Sequence, residues 1–145
     1  MHTLFDKAKP VLAIALASAV FLAACASMSM NKEVTVTLNG GNEVPPVATS
    51  ASGSGTITVA SDKSVSGSIS TSGLAGTAAH IHAGAAGKNG PVVVPLAKSG
   101  DSGWAVPAGT KFTDAQYDSF TKGELYVNVH SAANKAGEIR GQLNP

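Results

Sequence analysis

Apolar residues recur at every second position along most of this chain, and a period of two is what a half-buried strand demands. Val34, Val36 and Leu38 alternate with Thr35 and Thr37, and the run stops at Asn39-Gly40-Gly41. Ile57 and Val59 alternate with threonines between Gly53 and Ala60. Ser61-Asp62-Lys63 then makes a polar turn into Ser64–Thr71, where Val65 and Ile69 keep the even spacing, so the two runs read as a hairpin. His80-Ile81-His82, Val92-Val93-Val94, Leu125–His130 and Glu138–Leu143 supply further strands. In the last of these, Ile139, Gly141 and Leu143 are expected to face in, and Glu138, Arg140 and Gln142 to face out.

One helix interrupts the pattern. In Phe112-Thr113-Asp-Ala-Gln116-Tyr117, Thr113 reads as the N-cap and Gln116 as the N3 partner of a capping box, with Phe112 packing on Tyr117 as a staple. Gly123 is expected to end the helix as a left-handed C-cap. About seven short strands with Gly and Pro turns and one short helix imply an all-β domain, an antiparallel β-sandwich.

The N-terminus reads as a targeting segment. Lys7 and Lys9 are basic, and Val11–Ala24 is an apolar stretch of 14 residues. A bilayer span needs about 20, whereas 14 suit a signal-peptide core. The stretch ends in Leu22-Ala23-Ala24-Cys25, which resembles the lipobox of bacterial lipoproteins. That resemblance implies a signal peptide over 1–24, lipid attachment at Cys25 and a short tether over 25–32. The mature chain would be anchored to a membrane rather than embedded in it. Ala26, where Gram-negative sorting rules would place Asp for inner-membrane retention, implies the outer membrane, facing the periplasm. Cys25 is the only cysteine, so no disulfide is available to the mature domain.

From Cys25 to Pro145 there are 121 residues, enough for one domain. Without Lys7, Lys9 and Asp6 the chain carries eight basic and eight acidic residues, a net charge of zero with neutral histidines. With no basic cluster, nucleic acid is not an expected partner.

Chemistry concentrates in the histidines. His80 and His82 share one face of their strand, with Ile81 on the other. In Leu125–His130, Leu125, Val127 and Val129 share a face, and His130 lies opposite, with Asn128 two residues before it. Three outward imidazoles on two strands could hold a metal ion, because neutral imidazole suits copper and zinc. The alternative is that exposed strand positions merely tolerate histidine. The glycine-rich run Gly84–Pro91 is not a phosphate loop. His82 stands where the first Gly should be, Asn89 follows Lys88 where Ser or Thr belongs, and Pro91 and three valines follow instead of a helix. It reads as a wide loop and a wall of a site.

Three separated segments carry a family resemblance. Leu38-Asn-Gly-Gly-Asn-Glu43-Val44-Pro45-Pro46-Val47, Ala79-His80-Ile81-His82-Ala-Gly84 with Gly90-Pro91-Val92, and Tyr126–Ser131 through Gly137–Leu143 resemble the CHRD domain, named after chordin. The resemblance spans nearly all of a 33–145 domain. It implies an immunoglobulin-like or Greek-key β-sandwich or barrel and little about activity. The His-x-His strand also has a local similarity to Cu/Zn superoxide dismutase, although three histidines are fewer than that enzyme's two metals require.

The resulting expectation is a lipid-anchored, non-enzymatic envelope domain that binds copper, or zinc, through His80, His82 and His130. Glu43 is the acidic residue to test next, and Asn128 is a partner of the ligands. A metal-free module for an envelope protein or glycan is the second expectation, and a copper-dependent dismutase-like enzyme the third.

Overall fold

The computed structural model describes residues 30–145; the signal segment, Cys25 and most of the tether lie outside the described residues. Nine strands form one antiparallel sheet: β1 (Lys32–Asn39), β2 (Ser52–Val59), β3 (Val65–Ser72), β4 (Gly76–Ala83), β5 (Val92–Pro95), β6 (Ala97–Ser99), β7 (Gly103–Ala105), β8 (Leu125–Ser131) and β9 (Ile139–Leu143). Their order is β5-β4-β8-β9-β1-β2-β3-β7-β6. The two edge strands, β5 and β6, are consecutive in the chain and separated only by Leu96. Its N–H donates to the Ala79 carbonyl at 2.9 Å. The sheet therefore curls until its ends nearly meet, a barrel-like form of the antiparallel all-β fold expected from the alternation.

The alternation fills the interior. Val34, Val36 and Leu38 from β1, Ile57 and Val59 from β2, Ile69 from β3, Ile81 from β4, and Leu125, Val127 and Val129 from β8 are all buried in one cluster. Ile139 and Leu143 of β9 join them. Each such side chain contributes about 1.5–3 kcal/mol of transfer free energy. This single core replaces the cross-links that the chain lacks.

The helix α1 (Asp114–Thr121) has the expected capping box: the Thr113 side chain accepts from the Gln116 N–H, and Gln116 reaches back to the Thr113 N–H. Phe112 and Tyr117 both pack against Phe120, with ring centroids 6.2 and 6.3 Å apart. Gly123, with φ near +70°, follows the last turn as expected.

The structure adds two features to these expectations. β6 and β7 were not expected, because three residues each leave no alternation to detect. The outward face of β9 is also not a solvated face. Glu138, just before the strand, is buried, and Arg140 is only 1% exposed. Side-chain parity gives the face; it says nothing about what loops then cover that face.

Candidate metal centre

Strand pairing brings the three histidines together. β4 lies antiparallel to β8 with Ala78 opposite His130, His80 opposite Asn128 and His82 opposite Tyr126. Since alternate residues share a face, His80 and His82 stand beside Tyr126, Asn128 and His130 on the outer side of the sheet. A register irregularity sits on each side of the cluster, between Gly76 and Ala78 against β8 and between Ile81 and His82 against β5. Bulges of this kind re-aim side chains near functional sites.

One ring nitrogen from each of His80, His82 and His130 lies within 4.8 Å of the others. His80 Nδ1 is 3.0 Å from His130 Nε2. Ligand nitrogens at about 2.0–2.1 Å from one ion sit about 3–3.5 Å apart, so the cluster needs only a small contraction to close on a metal.

Backbone carbonyls fix the tautomers. His82 Nδ1 lies 2.9 Å from the Gly90 carbonyl, and His130 Nδ1 lies 2.9 Å from the Lys135 carbonyl. A carbonyl only accepts, so both Nδ1 atoms carry the hydrogen. In the neutral rings this leaves both Nε2 atoms as acceptors, that of His82 without a hydrogen-bond partner. His130 Nε2 then accepts from His80 Nδ1, which must be the protonated nitrogen of that ring. A carbonyl behind the ring is the usual way a protein orients a metal-binding histidine.

The glycine-rich loop is the lid over this face. The guanidinium carbon of Arg140, on β9, lies over the Tyr126 ring, 3.4 Å from its centroid, and Tyr126 stacks on His82 at 4.9 Å with planes 5° apart. The Arg140 guanidinium donates to the Lys88 and Ala85 carbonyls at 2.9 and 3.2 Å and to Asn89 Oδ1 at 3.3 Å. Gln142 Nε2 donates to the Gly84 carbonyl, and the Gly90 N–H donates to the Tyr126 hydroxyl. Gly90 is required here, because a Cβ at that position would lie 1.5 Å from the Ala83 carbonyl oxygen. With the loop latched, His82 is 8% exposed, whereas His80 and His130 remain half-buried.

Glu43 and Asn128, both buried, lie behind the cluster. Asn128 interacts through its side chain with the Glu43 carboxyl and with the His82 ring. Glu43 is pushed above the ordinary carboxylate range by burial, opposed by the positive charge of Arg140 and by Asn128. Glu43 is not part of the histidine cluster itself. Tyr126 and Gln142 had no signal of their own in the sequence beyond sharing the histidines' parity.

His80 and His82 are both held below the ordinary imidazole value of 6.5, first by burial. For His80 the neighbouring His130 and His82 add to this; for His82 the Gly90 carbonyl works against it. The unfolded chain therefore takes up protons before the folded one as the pH drops through 6.5. Stability is fully present above that value and is lost as the pH falls below it. Thermal melts of metal-free protein should give a level Tm from pH 8 to 7 and a falling one from 6.5 to 5. In H80N/H82N that slope should shrink, and an unchanged slope would assign it to other groups.

A curled antiparallel sheet with a polar cluster on its outer face and a loop closed over it has the make-up of a small binding module. The chain belongs to the CHRD domain family, which it matches over residues 34–143. No curated protein and no solved structure matches it. The three segments that carry the resemblance converge here: Glu43 from the first, His80 and His82 from the second, and Asn128, His130 and Arg140 from the third.

Proposed function

We propose that this CHRD domain is a non-enzymatic binder of a divalent transition metal, held by His80, His82 and His130. The observation that carries the reading is the pair of carbonyl-fixed tautomers, which leaves the Nε2 lone pairs of His82 and His130 inside one cluster. An all-nitrogen histidine set ranks Cu²⁺ above Zn²⁺, so copper is the favoured ion and zinc the second. The Leu22-Ala23-Ala24-Cys25 segment supports a lipid-anchored protein of the cell envelope, with its outer-membrane side favoured.

Titration of the purified protein with Cu²⁺ or Zn²⁺ by calorimetry should show one equivalent bound. A ligand that binds only the folded state at 100 times its Kd adds about 2.7 kcal/mol of stability, so Tm should rise by several degrees. No heat and no Tm shift with either ion would overturn the reading.

A second reading rests on a cleft of about 730 Å³ beside the lid, lined by Thr35, Thr37, Asn42, Glu43, Arg140 and Gln142 among others. Hydrogen-bonding side chains of this kind suit a glycan or another polar envelope ligand without any metal. Retention of such a ligand by the triple histidine variant under chelator would favour this reading.

A further inference from the structure

The metal reading leaves one coordination position to fill, and the buried atoms that lack hydrogen-bond partners indicate what fills it. Glu43 Oε1, His82 Nε2 and Asn128 Oδ1 are all buried without a partner. They are neighbours: the Asn128 amide lies close enough to Glu43 and to His82 to bear on the charge of both, without a hydrogen bond of good geometry to these three atoms. Native proteins rarely leave such atoms unpaired, because each costs about 1–3 kcal/mol.

The space beside Gly137 shows which way the Asn128 amide points. A Cβ at Gly137 would lie 2.5 Å from Glu43 Oε1 and 2.7 Å from Asn128 Nδ2. The amide nitrogen and the carboxyl oxygen thus crowd the same point, and the NH₂ end of Asn128 faces the carboxyl. That is the chemically matched orientation, a donor end turned toward an acceptor, although Oε1 itself makes no hydrogen bond. Oδ1 is at the opposite end, on the side of His82.

Neutral His82 cannot donate to it. Its hydrogen is on Nδ1, committed to the Gly90 carbonyl, so Nε2 presents a lone pair. Asn128 Oδ1 presents lone pairs as well. With His82 neutral, two acceptors are therefore buried near one another with no hydrogen to share, and a cation satisfies both. Asn128 stands directly across the strand pair from His80 and two residues from His130 on the same face. It is 2% exposed.

We infer that the carboxamide oxygen of Asn128 is the fourth ligand of the metal held by His80, His82 and His130, and that Glu43 orients it. The inference rests on the histidine reading. It defines a three-nitrogen, one-oxygen site whose four donors are all neutral, with the Glu43 carboxyl one residue removed as the nearby acidic group.

The test uses Co²⁺, whose visible absorption reports coordination geometry, and Zn²⁺. N128L, similar in volume but without a donor atom, should bind Co²⁺ about 100-fold more weakly and with shifted bands, and E43Q about 10-fold more weakly. A second measurement needs no variant to fold: in the wild-type protein, Zn²⁺ should shift the side-chain NH₂ resonances of Asn128. Wild-type protein that binds metal while N128L keeps the same affinity and spectrum, or while the Asn128 resonances stay unmoved, would overturn the fourth ligand alone. Wild-type protein that binds no metal would overturn the histidine reading and this inference with it.

Discussion

Substituting both His80 and His82 by alanine should abolish stoichiometric copper or zinc uptake. Only His130 then remains of the three imidazoles, and a lone imidazole on a sheet surface is an ordinary weak site. Losing a supporting partner of a metal ligand costs about 10–100-fold in affinity, and losing two ligands costs more than that. Neither ring is an apolar core residue, since both stand on the outer face opposite Ile81. The H80A/H82A protein should therefore keep its strand content by circular dichroism while its titration goes flat. The H130A protein should fall between the two, because His130 is the acceptor for His80 Nδ1. Uptake by H80A/H82A equal to that of wild type would show that the metal binds elsewhere.

The second large effect is expected at Arg140. Its guanidinium is buried, lies on Tyr126 and donates to two loop carbonyls and to Asn89. Arg140→Ala removes these at once. It strands the Ala85 and Lys88 carbonyls, empties the space above Tyr126 and takes away the positive charge near Glu43. Removing one partner from a buried charge network costs about 3–5 kcal/mol, which in a domain of this size lowers Tm on the order of 10–20 °C. Arg140→Lys should recover little, because an ammonium neither stacks flat on an aromatic ring nor forks to several acceptors. The variant should also bind metal more weakly, since the Gly90 carbonyl that fixes the His82 tautomer belongs to the released loop. A Tm within a degree or two of wild type would mean that the loop is held by its other contacts.

Much of this arrangement is legible in the sequence, and the limits have physical reasons. Alternation at Val34-Thr-Val36-Thr-Leu38 and Leu125–His130 shows both the strands and their inward faces, because side-chain parity is local. The capping box at Thr113–Gln116 is local too. The joining of His80, His82 and His130 needed more: parity puts all three outside, but only the pairing of β4 with β8 makes them neighbours. The CHRD resemblance carried no register.

What escaped was the treatment of the outer face. Arg140 and Glu138 read as facing away from the core, and they do. Nothing local announces that the Gly84–Pro91 loop then closes over Arg140, or that Thr49 and Ser131 hold the Glu138 carboxylate. Tyr126 was hidden in the same way, by its place in an alternating strand. β6 and β7 were missed for lack of length.

The position of the cluster along the strands has a further consequence. Asn39 ends β1 opposite Arg140, which pairs with Asn128, which pairs with His80. The chain enters the sheet at Lys32, seven residues away along β1, or about 23 Å at the rise of a strand. Whatever holds the N-terminal side of the domain, β1 acts as a rigid spacer. The histidine cluster thus stands one strand length from the residue at which the chain enters the sheet, and a ligand that reaches the cluster approaches the domain far from Lys32.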